Sequence, residues 1–108
     1  MSVVAKATTA TTATIRRDGD RLVVDGPVNM DSVPTLLTAG AEVLAAGAAT
    51  IDLSKATGLD SSAVALILAW QRDAEAAGRT LHLAGAPPAF GKLAKLYAVT
   101  DLLPKATA

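Results

Sequence analysis

The chain has 108 residues, with ten Lys and Arg against ten Asp and Glu, no cysteine and one histidine. That length holds one domain with one modest core. A neutral balance leaves neither the basic stripe that nucleic acid requires nor the polybasic cluster that an anionic membrane attracts. The lack of cysteine excludes a disulfide framework, a thiolate nucleophile and a zinc–thiolate site, which fits a cytoplasmic protein.

The opening MSVVAKATTATTAT has no basic stretch leading into an apolar one, so no signal peptide is read there. Residues 1–12 read as a disordered Thr/Ala-rich arm, 13–104 as the folded domain and 105–108 as a frayed tail. No apolar run approaches the roughly 20 residues that span a bilayer, and direct membrane insertion is not expected.

The folded part begins with TIRRDGDRLVVDG, two strand-like runs about Asp18-Gly19, a strong hairpin signal. Leu22 and Val24 share one face of the second run, Val23 and Asp25 the other. A helix follows, with Asp31 or Ser32 as its cap and Pro34 in its first turn. Val33, Leu36, Leu37, Val43 and Leu44 keep helical spacing, and Gly47 is a natural stop. Gly40 inside this helix implies close packing or a frayed middle. Ala49 to Leu53 reads as a strand, with Ile51 and Leu53 opposite Thr50 and Asp52. A second helix runs from about Ser62 to Ala77, stopped by Gly78. RTLHLAG is the next strand, and a third helix, roughly Ala89 to Tyr97, follows Pro87-Pro88. A short turn from Thr100 to Leu103 ends at Pro104.

The order β-β-α-β-α-β-α is that of an α/β domain with parallel neighbours joined by helical crossovers. Strands covered on both faces are apolar throughout, whereas these carry Asp25, Asp52 and His82 on their second face. The expectation is a two-layer domain: one mixed sheet, all helices on one face, the other face largely wet.

Motifs for chemistry are missing. There is no GxxxxGK[ST], no GxGxxG after a strand and no HExxH. His82 sits between leucines and reads as a structural histidine, and Asp60 and Ser61 are too close in sequence to flank it as a triad. No catalytic residue, metal ligand or cofactor is assigned, and the chain reads as a non-enzyme. What stands out is IDLSKATGLDSSAVALILAW. Asp60, Ser61 and Ser62 sit where a strand hands over to a helix, and one of them would suffice as a cap. The helix behind them has no polar side chain for two turns, where a helix on a sheet needs only an apolar stripe. Ala63, Leu66, Ala69 and Trp70 are either buried under neighbouring helices or form an exposed patch beside the serines. Likewise, Leu93, Leu96 and Tyr97 have core-facing spacing, while Lys92, Lys95 and Tyr97 can instead rim a docking surface.

The order of elements and the segment IDLSKATGLDSSA resemble the STAS domain, the fold of anti-sigma-factor antagonists and sulphate-transporter tails, over about residues 14–104. In the antagonists a hydroxyl of this loop is phosphorylated by an anti-sigma kinase, which implies Ser61 or Ser62, usually the second. The ending LHLAGAPPAFGKLAKLYAVTDLLP is similar to that of MlaB-type proteins, the small STAS subunits of the Mla phospholipid-transport ABC complex. That likeness implies a non-catalytic subunit docked on the MlaF-like ATPase and, through it, on the membrane permease. Its place would be the cytoplasmic face of the inner membrane, its process lipid asymmetry, and Ser61 would lie in the contact. The implied interface comprises Asp60, Ser61, Ser62, Ala63, Leu66 and Trp70, with Lys92, Lys95 and Tyr97 beside it. The alternative is an anti-sigma factor antagonist switched by serine phosphorylation. Ala63 departs from both branches, which commonly have glycine there.

Overall fold

A computed structural model describes residues 12–106. The elements in chain order are β1 Thr14–Asp18, β2 Arg21–Pro27, α1 Val33–Ala45, β3 Thr50–Thr57, α2 Ser61–Ala76, β4 His82–Ala84 and α3 Pro88–Leu96. A single 3₁₀ turn, Thr100–Leu102, and β5 Lys105–Ala106 complete them. Of the expected N-terminal arm, residues 1–11 lie outside the described residues. The sheet has the order β1-β2-β3-β4-β5, with β1 antiparallel to β2 and every later pair parallel. Leu22 and Val24 of β2, Ile51 and Leu53 of β3 and Leu83 of β4 join one apolar core with residues of all three helices. The helices therefore share one face, as expected for this two-layer α/β architecture.

Three boundaries differ from the sequence reading. β3 continues to Thr57 because the β2–β3 register shifts between Val23 and Asp25. The irregularity puts Ser54 and Lys55 between Leu53 and Ala56, so two core residues are no longer two apart. Alternation breaks there, although the ladder does not. Lys105 and Ala106, placed by sequence in a frayed tail, pair with His82 and Leu83 as β5. β4 itself spans only three of the seven residues expected, although Leu81 before it is still buried.

The open face is less wet than expected. Val23, Thr50 and Ala84 are buried there. In register, Arg16, Val23, Asp52 and Ala84 form one row across the sheet. Arg21 reaches over to Asp52, Nη1 to Oδ2 at 3.1 Å, and long side chains of this kind shelter small neighbours on a pleated surface. Burial raises the Asp52 carboxyl, but hydrogen bonds from Ser54 and Arg21 and the arginine charge outweigh it, holding it below its ordinary value.

α2 lies between α1 and α3, and this placement explains its composition. Ala63, Val64, Leu66, Ile67, Trp70 and Ala74 are all buried. A central helix with a sheet beneath it and a helix on each side needs an apolar surface much wider than a stripe. The α1–α2 contact is fixed by Gly40. A Cβ there would lie 2.1 Å from Trp70 Cζ2, and Trp70 Nε1 donates to the Leu37 carbonyl at 3.1 Å. Close packing is therefore the reason for glycine inside α1.

The helix ends repeat one device. α2 closes with Gly78 at φ 71° and α3 with Ala98 at φ 55°. In α3 the Val99 N–H donates to the Ala94 carbonyl and the Ala98 N–H to the Lys95 carbonyl, the paired bonds of a Schellman motif. α1 has no basic residue in its last turn. It closes on Gly47 at φ 121°, whose N–H donates to the Leu44 carbonyl at 3.0 Å, while the Ala48 N–H donates to the Val43 carbonyl at 3.3 Å. Two arginines add to this: Arg79 donates to Leu44 and Ala45, and Arg17 to Ala46 at 3.2 Å. These cations oppose the negative end of the helix dipole.

Candidate functional site

The strands β2 to β5 run parallel, so the β2–α1, β3–α2 and β4–α3 connections gather at their carboxyl ends. Two of these loops are tied together. The Val28 N–H donates to the Thr57 carbonyl at 3.0 Å. The β2–α1 loop is also braced from within. Asn29 Oδ1 accepts from the Asp31 and Ser32 amides, and Ser32 Oγ donates to the Pro27 carbonyl at 2.9 Å. Ser32 stands at the α1 N-cap, yet its side chain does not cap the helix. It secures the strand end instead, which corrects the expectation of a capping side chain at Asp31 or Ser32.

Asp60 caps α2. Its Oδ1 accepts from the Ser62 amide at 2.8 Å and also from the Ser62 hydroxyl. The Ser62 hydroxyl bond lowers the Asp60 carboxyl below its ordinary value despite some burial, with backbone amides of Ser62, Met30 and Ala63 adding to it. The two serines are thereby distinguished. Ser62 is half-buried and committed to the cap, whereas Ser61 is exposed and its hydroxyl has no hydrogen-bond partner among the described residues. Met30, at the tip of the β2–α1 loop, is 77% exposed. Sequence reasoning missed it because a lone methionine in a loop has no periodicity to reveal it.

The remaining expected site residues divide. Ala63, Leu66 and Trp70 are core residues, covered by the sheet and the flanking helices, so no partner reaches them in this fold. An arginine at Ala63 would bury an unpaired charge and unfold the chain, not edit a surface. Lys92, Lys95 and Tyr97 are exposed on α3 and at its end. α3 starts at the carboxyl ends of the strands and runs back toward their amino ends, where β5 begins, so Tyr97 lies at the opposite edge of the sheet from Ser61. Leu96, read as core by its spacing, is exposed because the buried face of α3 is that of Phe90 and Ala94, and Leu96 at the helix end lies away from it.

The chain is thus a one-sided mixed sheet whose α2 entry is capped by Asp60 and presents an exposed Ser61, with an exposed Met30 in the neighbouring loop. The chain belongs to the STAS family: the model described as "Mlab, STAS domain" matches residues 11–104. No curated protein matches it. Among solved structures it is similar to the anti-sigma factor antagonist SpoIIAA in its unphosphorylated form, at TM-score 0.64 and 20% identity over 89% of each chain. It is also similar to the Bacillus cell fate determinant SpoIIAA in the phosphorylated form, at TM-score 0.60 and 19% identity over 89% of this chain and 92% of that one. A third is RsbS of Moorella thermoacetica carrying a serine-to-glutamate substitution, at TM-score 0.63 and 22% identity over 89% and 86%. These likenesses carry the anti-sigma-antagonist-like fold.

Proposed function

We propose that this chain is a non-catalytic regulatory subunit that docks on the ATPase of an MlaFEDB-like phospholipid-transport ABC complex. Its contact surface is the α2 entry, where Ser61 and Met30 stand exposed on two tied loops. The observation that carries the reading is the family match itself, whose description is of the MlaB kind and which spans nearly the whole described chain. The free Ser61 hydroxyl supports it, because an exposed polar group and an exposed apolar side chain on joined loops offer a partner both a hydrogen bond and apolar area. Binding there biases the ATPase between two arrangements of its nucleotide-binding subunits, by as much as its affinities for the two differ. The protein is then cytoplasmic and held at the inner membrane through its partner. The contact comprises Ser61 and Met30, with Asp60 and Ser62 shaping it from beneath.

The test is affinity capture of the tagged protein from detergent-solubilised cells. An ABC ATPase with its membrane subunits should co-purify with the wild type and be lost with Ser61→Glu, whose circular dichroism should be unchanged. Equal recovery of the ATPase by wild type and variant would refute the Ser61 contact. A soluble kinase recovered in its place would favour the second reading, an anti-sigma factor antagonist switched at a serine. One observation supports that alternative. The Ser62 hydroxyl donates to Asp60, so a phosphate there would set a dianion against a carboxylate and dismantle the cap.

A further inference from the structure

A second exposed surface lies at the other edge of the sheet, and its chemistry differs. Leu96, Tyr97 and Leu102 are 73, 52 and 61% exposed, in a molecule whose one other exposed large hydrophobic among the described residues is Met30. They sit at the end of α3 and in the 3₁₀ turn, at the amino ends of the parallel strands. The neutral total also conceals an uneven charge distribution. Residues 88–106 hold Lys92, Lys95 and Lys105 against Asp101 alone, whereas residues 12–87 hold nine Asp and Glu against six Lys and Arg. All three lysines are exposed. The ion pair found among the described residues, Arg21 with Asp52, involves none of them.

We propose that this surface docks on an anionic lipid bilayer. Leu96, Tyr97 and Leu102 seat at the headgroup level, and the three lysines face the anionic headgroups. Side chains more than half exposed are knobs, and a bilayer interface receives knobs without a matching groove. Tyrosine suits that depth, with its ring in the apolar layer and its hydroxyl in the wet one. A second copy of the chain is a poor occupant, since a two-fold contact sets this patch against itself and brings lysine to lysine. The three lysines fall short of the four to eight of a polybasic anchor, so the attachment is weak, salt-sensitive and dependent on the leucines. It is also peripheral, because none of the described helices is long and apolar enough to cross a membrane. This inference stands apart from the transport reading and uses the opposite end of the molecule.

The experiment is flotation of the full chain with phosphatidylglycerol–phosphatidylcholine vesicles and with pure phosphatidylcholine vesicles at low salt. The protein should float with the anionic vesicles, remain behind with the neutral ones, and be released by added salt. Lys92→Gln and Lys95→Gln should each lower partitioning about fivefold. Leu96→Ser combined with Leu102→Ser should abolish flotation while the melting curve is kept, since both side chains are outside the core. Flotation on neither kind of vesicle, equal flotation on both, or flotation undiminished in the double serine variant would each overturn the proposal. Failure on vesicles together with capture by an acidic protein would assign the patch to that protein instead.

Discussion

Gly40→Ala separates packing from helix propensity, because the two predict opposite signs. Propensity alone favours alanine by about 1 kcal/mol inside a helix. The structure opposes it: the new Cβ would meet Trp70 Cζ2 at 2.1 Å, Cε2 at 2.7 Å and Cη2 at 2.9 Å. Trp70 is 1% exposed and its Nε1 is tied to the Leu37 carbonyl, so its ring can move aside only by disturbing that bond and its packing. Forcing it aside costs about 1–3 kcal/mol in overpacking. Losing the Nε1–Leu37 bond with a buried donor left over costs about 1–3 kcal/mol more. After the propensity gain, the net loss is about 1–5 kcal/mol, to be set against about 5–15 kcal/mol for a domain of ordinary stability. At about 4–8 °C per kcal/mol, the midpoint should fall by at least about 4 °C. Thermal and urea denaturation followed by circular dichroism would measure it. In a Trp70→Leu background the same substitution should be neutral or stabilising, leaving a coupling energy above about 1 kcal/mol in the double-mutant cycle. A variant as stable as the wild type, or a cycle without coupling, would refute the argument that the ring dictates glycine.

Asp60→Ala should cost about 1 kcal/mol by removing the α2 cap, seen as a lower urea midpoint at unchanged slope. The pH dependence has a definite sign. The Asp60 carboxyl is depressed in the folded state, so its contribution is complete above the ordinary aspartate value and is lost as pH falls through the folded one. Asp60→Asn should therefore flatten the acid limb of the melting temperature against pH, and an unchanged limb would count against the cap as its source. Ala98→Gly should stabilise by about 0.5–1 kcal/mol, since φ 55° is costly for alanine and free for glycine, even after glycine's larger unfolded-state entropy. A melting point that falls instead would show that the αL strain is already relieved elsewhere. Ala63→Arg should fail to give a cooperative melt, and a normal one would contradict the burial of that side chain.

The helices were legible because their ends carry chemical marks. Pro34 with Gly47, and Asp60 with Gly78, bracket α1 and α2 to within a residue or two. Strand extents were harder, since a strand is defined by its neighbours. The bulge after Val23 interrupts the alternation that reveals β3, and the two residues of β5 have no pattern apart from the partner strand that pairs with them. For the site, the cap and its serines could be seen in DSS, but the different states of Ser61 and Ser62 depend on which hydroxyl points back at Asp60. The fate of Ala63, Leu66 and Trp70 was open in the sequence, because an apolar helix looks the same whether neighbours or solvent flank it. Only the central position of α2 decides the matter.

The two arginines at the end of α1 bear on how the fold matures. Arg17 comes 29 residues before the carbonyl it meets, and Arg79 lies 35 and 34 residues beyond the two it meets. The glycine turn at Gly47 can form and fray on its own, but the Ala45 and Ala46 carbonyls accept from these arginines. Those two carbonyls are met only when the first strand and the loop before β4 have both arrived. The last turn of α1 should therefore be among the later pieces to order. Once ordered, its amides should exchange with deuterium at the rate of whole-domain opening and not of local fraying, which makes α1 a reporter for the closing of the entire sheet.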